Sequence, residues 1–115
     1  MLFTYQSNSK NSIKTIHMKG ELVDRNQGTE LMSEVEDSIS KGEVKIILNL
    51  NDLKYLNSSG LNILINILTK SRKAGGDVAI CNVNKKISEL LVITKLNSVF
   101  NVSDTEDAAI KILNQ

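Results

Sequence analysis

The chain is poor in the residue types that build most catalytic and metal centres. Its 115 residues include one histidine and one cysteine, and they include no tryptophan and no proline. A single cysteine excludes an internal disulfide, and a lone histidine leaves histidine-based metal clusters and Ser–His triads without material. We therefore expect no metal, no cofactor and no catalytic residues, and we predict that the protein is not an enzyme.

Aromatic side chains and long apolar runs are also scarce. Aromatic residues make up 3% of the chain, so the core must be aliphatic. No apolar run reaches the ~18–20 residues of a membrane-spanning helix, and the N-terminus lacks the pattern of a secretory signal. A formal net charge of +1, from scattered lysines and arginines, argues against direct nucleic-acid binding. These features favour a cytoplasmic protein without a membrane partner, and the length fits one domain over residues 1–115.

Hydrophobic periodicity predicts a hairpin followed by alternating helices and strands. Strands are expected at residues 3–6, 13–19, 44–50, 77–82 and 100–102, with a polar turn at 7–12 and a loop at 51–56. Helices are expected at residues 29–40, at 58–73, after Asn84, and after a capping box at 103–106. The order β-β-α-β-α-β-α-β-α predicts a single α/β domain in which about four helices pack against a mixed sheet.

Several polar or reactive residues have ordinary structural explanations. We expect His17 to be a structural strand residue and Cys81 to be a small buried hydrophobe. Gly75-Gly76 is too short for a phosphate-binding loop and is expected to end a helix. The acidic side chains of the first helix are expected to form a solvated face (Glu30, Glu34 and Asp37).

The tetrad Asn57-Ser58-Ser59-Gly60 is the most informative stretch, because it places two hydroxyls at the start of an apolar helix. Free N–H groups and the positive end of the helix dipole favour an anion there. One interpretation is a helix cap at Asn57, with Gly60 permitting a close approach; such caps are common and contribute about 1 kcal/mol. The other is a phosphorylation switch. The helix carries more apolar residues than one face requires, so it is either deeply buried or partly exposed to a partner.

The order and spacing of these motifs resemble STAS domains, and the group most similar is the bacterial anti-sigma factor antagonists. Gly20-Glu21-Leu22 matches the motif after the second strand, and Asp24 lies close to the family's usual acidic residue. The segment from Asn57 to Leu61 stands on the family motif Asp-Ser-Ser-Gly-Leu, and Ala74-Gly75-Gly76 also fits. Asn57, and Asn49 in the preceding strand, each replace an aspartate that is common in the family.

The resemblance implies a binding switch rather than an enzyme. The first serine of the motif, here Ser58, is phosphorylated in the family by a serine kinase that is itself the anti-sigma factor. The unphosphorylated protein binds this kinase and releases the sigma factor, and a PP2C-type phosphatase resets the switch. The switch-loop and partner-binding residues implied for this chain are Asp24, Asn57, Ser59, Gly60 and Leu61.

A second hypothesis remains open beside the switch. The chain could be a fixed STAS subunit of a lipid-transport ABC complex or of a sensory scaffold, without phosphoryl transfer; a stand-alone enzyme is a third alternative. The presence of both Ser58 and Ser59 favours the switch, whereas Asn57 leaves room for the fixed subunit. With Asn57 as the cap, Ser58 occupies the rim of the helix, where a kinase can reach it, and Ser59 can turn toward backbone groups.

Overall fold

The computed structural model describes residues 2–115, which fold around one five-stranded sheet. The strands are β1 (Thr4–Lys10), β2 (Ile13–Leu22), β3 (Lys45–Leu56), β4 (Asp77–Cys81) and β5 (Asn101–Ser103). The helices are α1 (Thr29–Ser40), α2 (Ser58–Lys73), α3 (Lys85–Ile93) and α4 (Glu106–Leu113), with 3₁₀ turns at Arg25–Gly28 and Leu96–Ser98. This order confirms the predicted single α/β domain with a mixed sheet and four helices.

Strand β3 lies at the centre of the sheet, whose spatial order is β1-β2-β3-β4-β5. Strand β1 is antiparallel to β2, and every other neighbouring pair is parallel. Side chains alternate along β3, so Ile46 and Leu48 join the main core beneath α1, α2 and α3, while Ile47 packs with residues of α4. The strand is therefore covered on both faces, which explains its continuous apolar sequence.

The hairpin is longer than the sequence predicts. Strand β1 continues to Lys10, so the polar turn expected at 7–12 is wrong, and only Asn11 and Ser12 separate the two strands. Both residues have positive φ, at 54° and 67°. This backbone suits a two-residue hairpin because it matches the twist of the strands. Residues 7–10 of this edge strand carry no apolar alternation, so only their pairing with β2 reveals them.

The segment expected to be a loop at 51–56 is instead the second half of β3. It pairs with β2 through Asp52, Leu53, Tyr55 and Leu56, with irregular register between His17 and Lys19 and between Gly20 and Glu21 of β2. These irregularities break the two-residue alternation on which a strand prediction depends. The extra half-strand carries the central strand directly to the start of α2.

The acidic face of α1 is not fully solvated, which corrects the expectation for Glu34. Its carboxylate accepts hydrogen bonds from Tyr5 Oη at 3.3 Å and from Ser7 Oγ, and it lies 2.9 Å from Lys14 Nζ. Burial alone would raise the pKa of Glu34, but these donors outweigh it and lower that pKa. The same burial and the neighbouring carboxylate raise the pKa of Tyr5 to about 12. The network fastens the β1–β2 hairpin to α1.

Helix α4 begins with a side-chain cap that differs from the one expected. Thr105 caps α4 by accepting a hydrogen bond from the Ala108 N–H at 3.1 Å. The capping box expected at 103–106 is wrong, because Ser103 Oγ instead donates to the Thr105 carbonyl. Within residues 2–115, no helix combines the length and hydrophobicity needed to cross a membrane.

Candidate functional site

Helix α2 begins with the cap that the tetrad predicts. Asn57 is the N-cap, and its Oδ1 accepts a hydrogen bond from the Gly60 N–H at 3.1 Å. Ser58 is consequently the first residue of the helix and is exposed, whereas the second residue, Ser59, is half-buried. No acidic residue stands in the first turn of α2. The exposed hydroxyl of Ser58 thus lies at the positive end of the helix without a carboxylate beside it in that turn.

The loop that follows β2 packs directly against this helix start. Asn57 Nδ2 donates to the Val23 carbonyl at 2.9 Å, and the Asn57 N–H donates to the Leu22 carbonyl at 3.3 Å. Asp24, the next residue of the loop, is exposed. The structure therefore brings the predicted Asp24 and the predicted serine site to one rim, although 34 positions separate Val23 from Asn57 in sequence.

Asp24 is held in place by a capping box that the sequence analysis missed. Its carboxylate accepts a hydrogen bond from the Asn26 N–H at 2.9 Å at the start of the 3₁₀ turn. The Gln27 side chain returns the interaction by accepting from the N–H groups of Val23 and Asp24, at 2.8 and 3.0 Å. An acidic residue followed three positions later by glutamine is the signal that could have revealed this box. Local bonds thus fix the loop independently of any partner.

Gly60 is required by the close approach of these two segments. A Cβ atom at this position would lie 2.2 Å from the Leu22 carbonyl oxygen and 2.9 Å from Leu56 Cβ. Gly60 and its neighbour Leu61 are both buried. In the free chain these two predicted site residues therefore lie beneath the surface that carries Ser58.

The apolar surplus of α2 is explained by burial. Its large aliphatic side chains are buried in the main core, with Ile65 partly buried (Leu61, Ile63, Leu64, Ile67 and Leu68 are the buried ones). Of the two alternatives, a deeply buried helix is correct. The apolar surface next to Ser58 comes from other elements, which the sequence analysis did not assign to the site.

An apolar groove of about 310 Å³ opens beside Ser58, between the end of β3 and α3. Ile93 of α3 is 78% exposed, and Tyr55 of β3 is 43% exposed. Val92, next to Ile93, is also exposed. The signal in the sequence was the pair Val92-Ile93, which extends the apolar residues of α3 beyond the stripe that packs on the sheet through Ile87 and Leu91.

The opposite face of the sheet holds the remaining reactive groups. His17 Nε2 lies 3.6 Å from Glu106 Oε1 of α4, and Cys81 is buried. Burial, with a smaller contribution from Glu106, raises the pKa of the Cys81 thiol to about 11, so the thiol stays protonated at neutral pH. Among residues 2–115, no three histidine, cysteine or acidic side chains lie close enough together to hold a metal ion. The contact of His17 with Glu106 and the burial of Cys81 agree with the structural roles expected for both residues.

Comparison with known proteins identifies the family. The family model described as the STAS domain matches residues 5–109. The chain therefore belongs to the STAS domain family.

Three proteins illustrate the likeness within this family. The anti-sigma F factor antagonist of Paenibacillus polymyxa is 26% identical over 92 residues, covering 79% of this chain and 78% of that protein. The crystal structure of a "putative anti-sigma factor antagonist" from Thermotoga maritima superposes with a TM-score of 0.85 at 25% identity, covering 96% of this chain and 95% of the other. The phosphorylated form of the Bacillus protein SpoIIAA has the same fold, with a TM-score of 0.74 at 19% identity over 94% of this chain and 97% of the other.

Proposed function

We propose that this STAS domain, residues 1–115, is an anti-sigma factor antagonist whose binding to its partner is controlled by phosphorylation of Ser58. The partner is an anti-sigma factor with serine kinase activity, and a PP2C-type phosphatase reverses the modification. The observation that carries the proposal is the exposed Ser58 hydroxyl, which stands at the capped start of α2 and at the edge of an apolar groove. Relatives that bear the name anti-sigma factor antagonist support the choice of partner.

In the unphosphorylated state, the partner covers the groove and the rim around Ser58. Ile93 and Tyr55 supply exposed apolar surface for this contact, and fully burying a large aliphatic side chain contributes about 1.5–3 kcal/mol. Asp24 supplies a charged contact on the same rim, because its neighbour Val23 accepts a hydrogen bond from Asn57. Asn57 and Ser59 supply polar contacts at the start of α2. Gly60 and Leu61 act from below, by allowing the close packing that holds the rim in place.

Phosphorylation changes the surface without requiring a change of fold. A phosphate on Ser58 adds about 1.5–2 negative charges at neutral pH, and the free N–H groups at the start of α2 stabilise it by about 0.3–1 kcal/mol. Beneath a partner the same charge is desolvated and unpaired, which costs on the order of 2–5 kcal/mol. SpoIIAA, a protein of this fold, is known in a phosphorylated form.

The protein in this proposal is the substrate of the kinase and has no catalytic group of its own. Its role in transcription is indirect, since it sequesters the anti-sigma factor and thereby frees the sigma factor. Such a role places it in the cytoplasm with its partner.

The test begins with the modification itself. The purified protein is incubated with candidate anti-sigma kinases and Mg-ATP, and the phosphosite is mapped by mass spectrometry. We expect phosphate on Ser58 in the unmodified sequence, none in Ser58→Ala, and phosphate on Ser58 in the matched control Ser59→Ala. Phosphate mapped to Ser59 would overturn the assignment of the switch to Ser58, and no phosphate with any kinase would contradict the switch and favour a fixed STAS subunit.

A further inference from the structure

The side chain of Asn57 makes two hydrogen bonds, and only one of them belongs to the helix cap. Its Oδ1 accepts from the Gly60 N–H at 3.1 Å, as serine, threonine or aspartate could also do at an N-cap. Its Nδ2 donates to the Val23 carbonyl at 2.9 Å. An ionised carboxylate has acceptors only, so aspartate would keep the first bond and lose the second.

The bond from Asn57 Nδ2 to Val23 lies where the loop after β2 packs closely against the start of α2. The Asn57 N–H donates to the Leu22 carbonyl at 3.3 Å, and the same carbonyl oxygen leaves no space for a Cβ atom on Gly60. Asn57 and Val23 are both partly buried. The bond from Asn57 to the Val23 carbonyl is therefore part-buried, and a partly buried carbonyl that loses its donor destabilises the segment that carries it.

The two bonded residues each precede a predicted contact residue. Asp24 follows Val23, Ser58 follows Asn57, and both Asp24 and Ser58 are exposed. The bond from Asn57 Nδ2 to Val23 therefore joins the two segments one residue away from both Asp24 and Ser58, beside the backbone bond from Asn57 to Leu22.

We propose that the bond from Asn57 Nδ2 to the Val23 carbonyl is a clamp that makes Asn57 a positioning residue for partner recognition, in a way that aspartate cannot replace. The clamp rests on the proposed function for its role in binding, but its effect on the loop is independent of any partner. Restoring aspartate, the residue usual in the family, should accordingly impair this chain rather than improve it.

The test compares variants that separate the clamp from the cap. Asn57→Asp keeps the cap acceptor and removes the donor, and Asn57→Ser keeps a cap acceptor without adding charge. Thr105→Ala removes the cap of α4 on the opposite face of the sheet and serves as a control for general loss of stability. The first readout is amide hydrogen exchange of residues 22–27 and 57–60 in the free protein. We expect about tenfold faster exchange there in Asn57→Asp, and unchanged exchange there in Thr105→Ala.

The second readout is the affinity of each variant for the anti-sigma kinase, measured with ADP so that no phosphate is transferred. Each affinity is compared with that of the unmodified protein under the same conditions. At about pH 7.5 we expect Asn57→Asp to bind about tenfold more weakly, with Asn57→Ser between the two. The other charged groups nearby are Asp24 and Arg25 of the loop and Lys86 and Glu89 of α3; all variants share them, so the ratio isolates the introduced carboxyl.

The outcomes distinguish the clamp from the switch. Unchanged exchange and unchanged or tighter binding in Asn57→Asp would overturn the clamp. A loss of affinity in Asn57→Asp equal to that of Thr105→Ala would also overturn it, since that result would indicate lost stability alone. If the unmodified protein binds no anti-sigma kinase, the proposed function fails, and hydrogen exchange alone then decides whether the clamp exists.

Discussion

Helices α2 and α4 begin with the same kind of cap but in opposite electrostatic surroundings. Asn57 and Thr105 each accept a hydrogen bond from the N–H three residues ahead, at 3.1 Å in both helices. The first turn of α4 carries Glu106 and Asp107, which complement the helix dipole, whereas the first turn of α2 carries no acidic residue. The start of α4 therefore has both a side-chain cap and negative charges that balance the helix dipole. The start of α2 has no such carboxylate, so its positive end remains free to interact with an added negative charge.

The largest expected difference between the two helix starts concerns their third residues, Gly60 in α2 and Ala108 in α4. Gly60→Ala places a Cβ atom 2.2 Å from the Leu22 carbonyl oxygen, so we expect a loss of about 3 kcal/mol in the free energy of unfolding, as for severe overpacking. The reverse change in α4, Ala108→Gly, should cost only about 0.5–1 kcal/mol. Urea denaturation measures both. Equal losses would show that the loop does not constrain α2.

A charge at Ser58 should act on binding far more than on folding. We expect Ser58→Asp to weaken binding to the anti-sigma kinase by at least about tenfold, because a charge left unpaired in an interface costs on the order of 2–5 kcal/mol. Ser58→Ala is the matched control and should bind as the unmodified protein does. Isothermal titration calorimetry distinguishes the two. Equal affinities of the two variants would argue for a fixed subunit.

The apolar groove offers a comparison between the two faces of the sheet. Ile93 beside Ser58 is 78% exposed, and Ile110 on α4 is 38% exposed. We expect Ile93→Asp to reduce partner affinity by about tenfold, as for an interface residue whose loss costs more than about 1 kcal/mol. Thermal stability should change little, because the side chain is already in water. Ile110→Asp should leave affinity unchanged. A reversed order of the two affinities would place the docking surface on the face that carries α4.

The smallest effects are expected from the helix dipoles alone, and they should have opposite signs. Ser58→Asp adds a carboxylate to a first turn that has none, so it should raise the free energy of unfolding by about 0.3–1 kcal/mol. Asp107→Asn removes one of two acidic residues from the first turn of α4 and should lower it by a similar amount, about 0.3–1 kcal/mol. Urea denaturation at low ionic strength measures both. A loss of stability in Ser58→Asp would mean that the start of α2 does not favour an anion.

Sequence alone predicted the parts of this fold that local chemistry determines. Helices α1 and α2 have the predicted bounds, because apolar periodicity and caps mark their ends. The extension of β1 to Lys10 and the second half of β3 escaped prediction, since an exposed edge and an irregular register carry no apolar alternation. These strands exist because of backbone pairing with β2, which no short window of sequence contains.

The candidate site divides in the same way. The cap at Asn57 and the exposure of Ser58 follow from residues adjacent in sequence, so they could be predicted. The contact of Asn57 with Val23 and the groove formed with α3 depend on how β2, β3 and α3 pack, so they could not. The resemblance to STAS domains named Asp24 as a site residue, but only the structure shows what holds it near Ser58.

The position of Ser58 at the end of the central strand has a consequence for signalling. Strand β3 is paired on both sides along Lys45–Asn49 and continues to within two residues of Ser58. A phosphate on Ser58, at the end of this paired strand, would change the surface that a partner meets and leave the shape of the protein as it was. Under the proposed function, the phosphorylated and unphosphorylated molecules would then have the same fold and differ in charge at Ser58. On that proposal, the amount of anti-sigma factor bound depends on the number of unphosphorylated copies, and the balance of kinase and phosphatase sets that number without a change of fold.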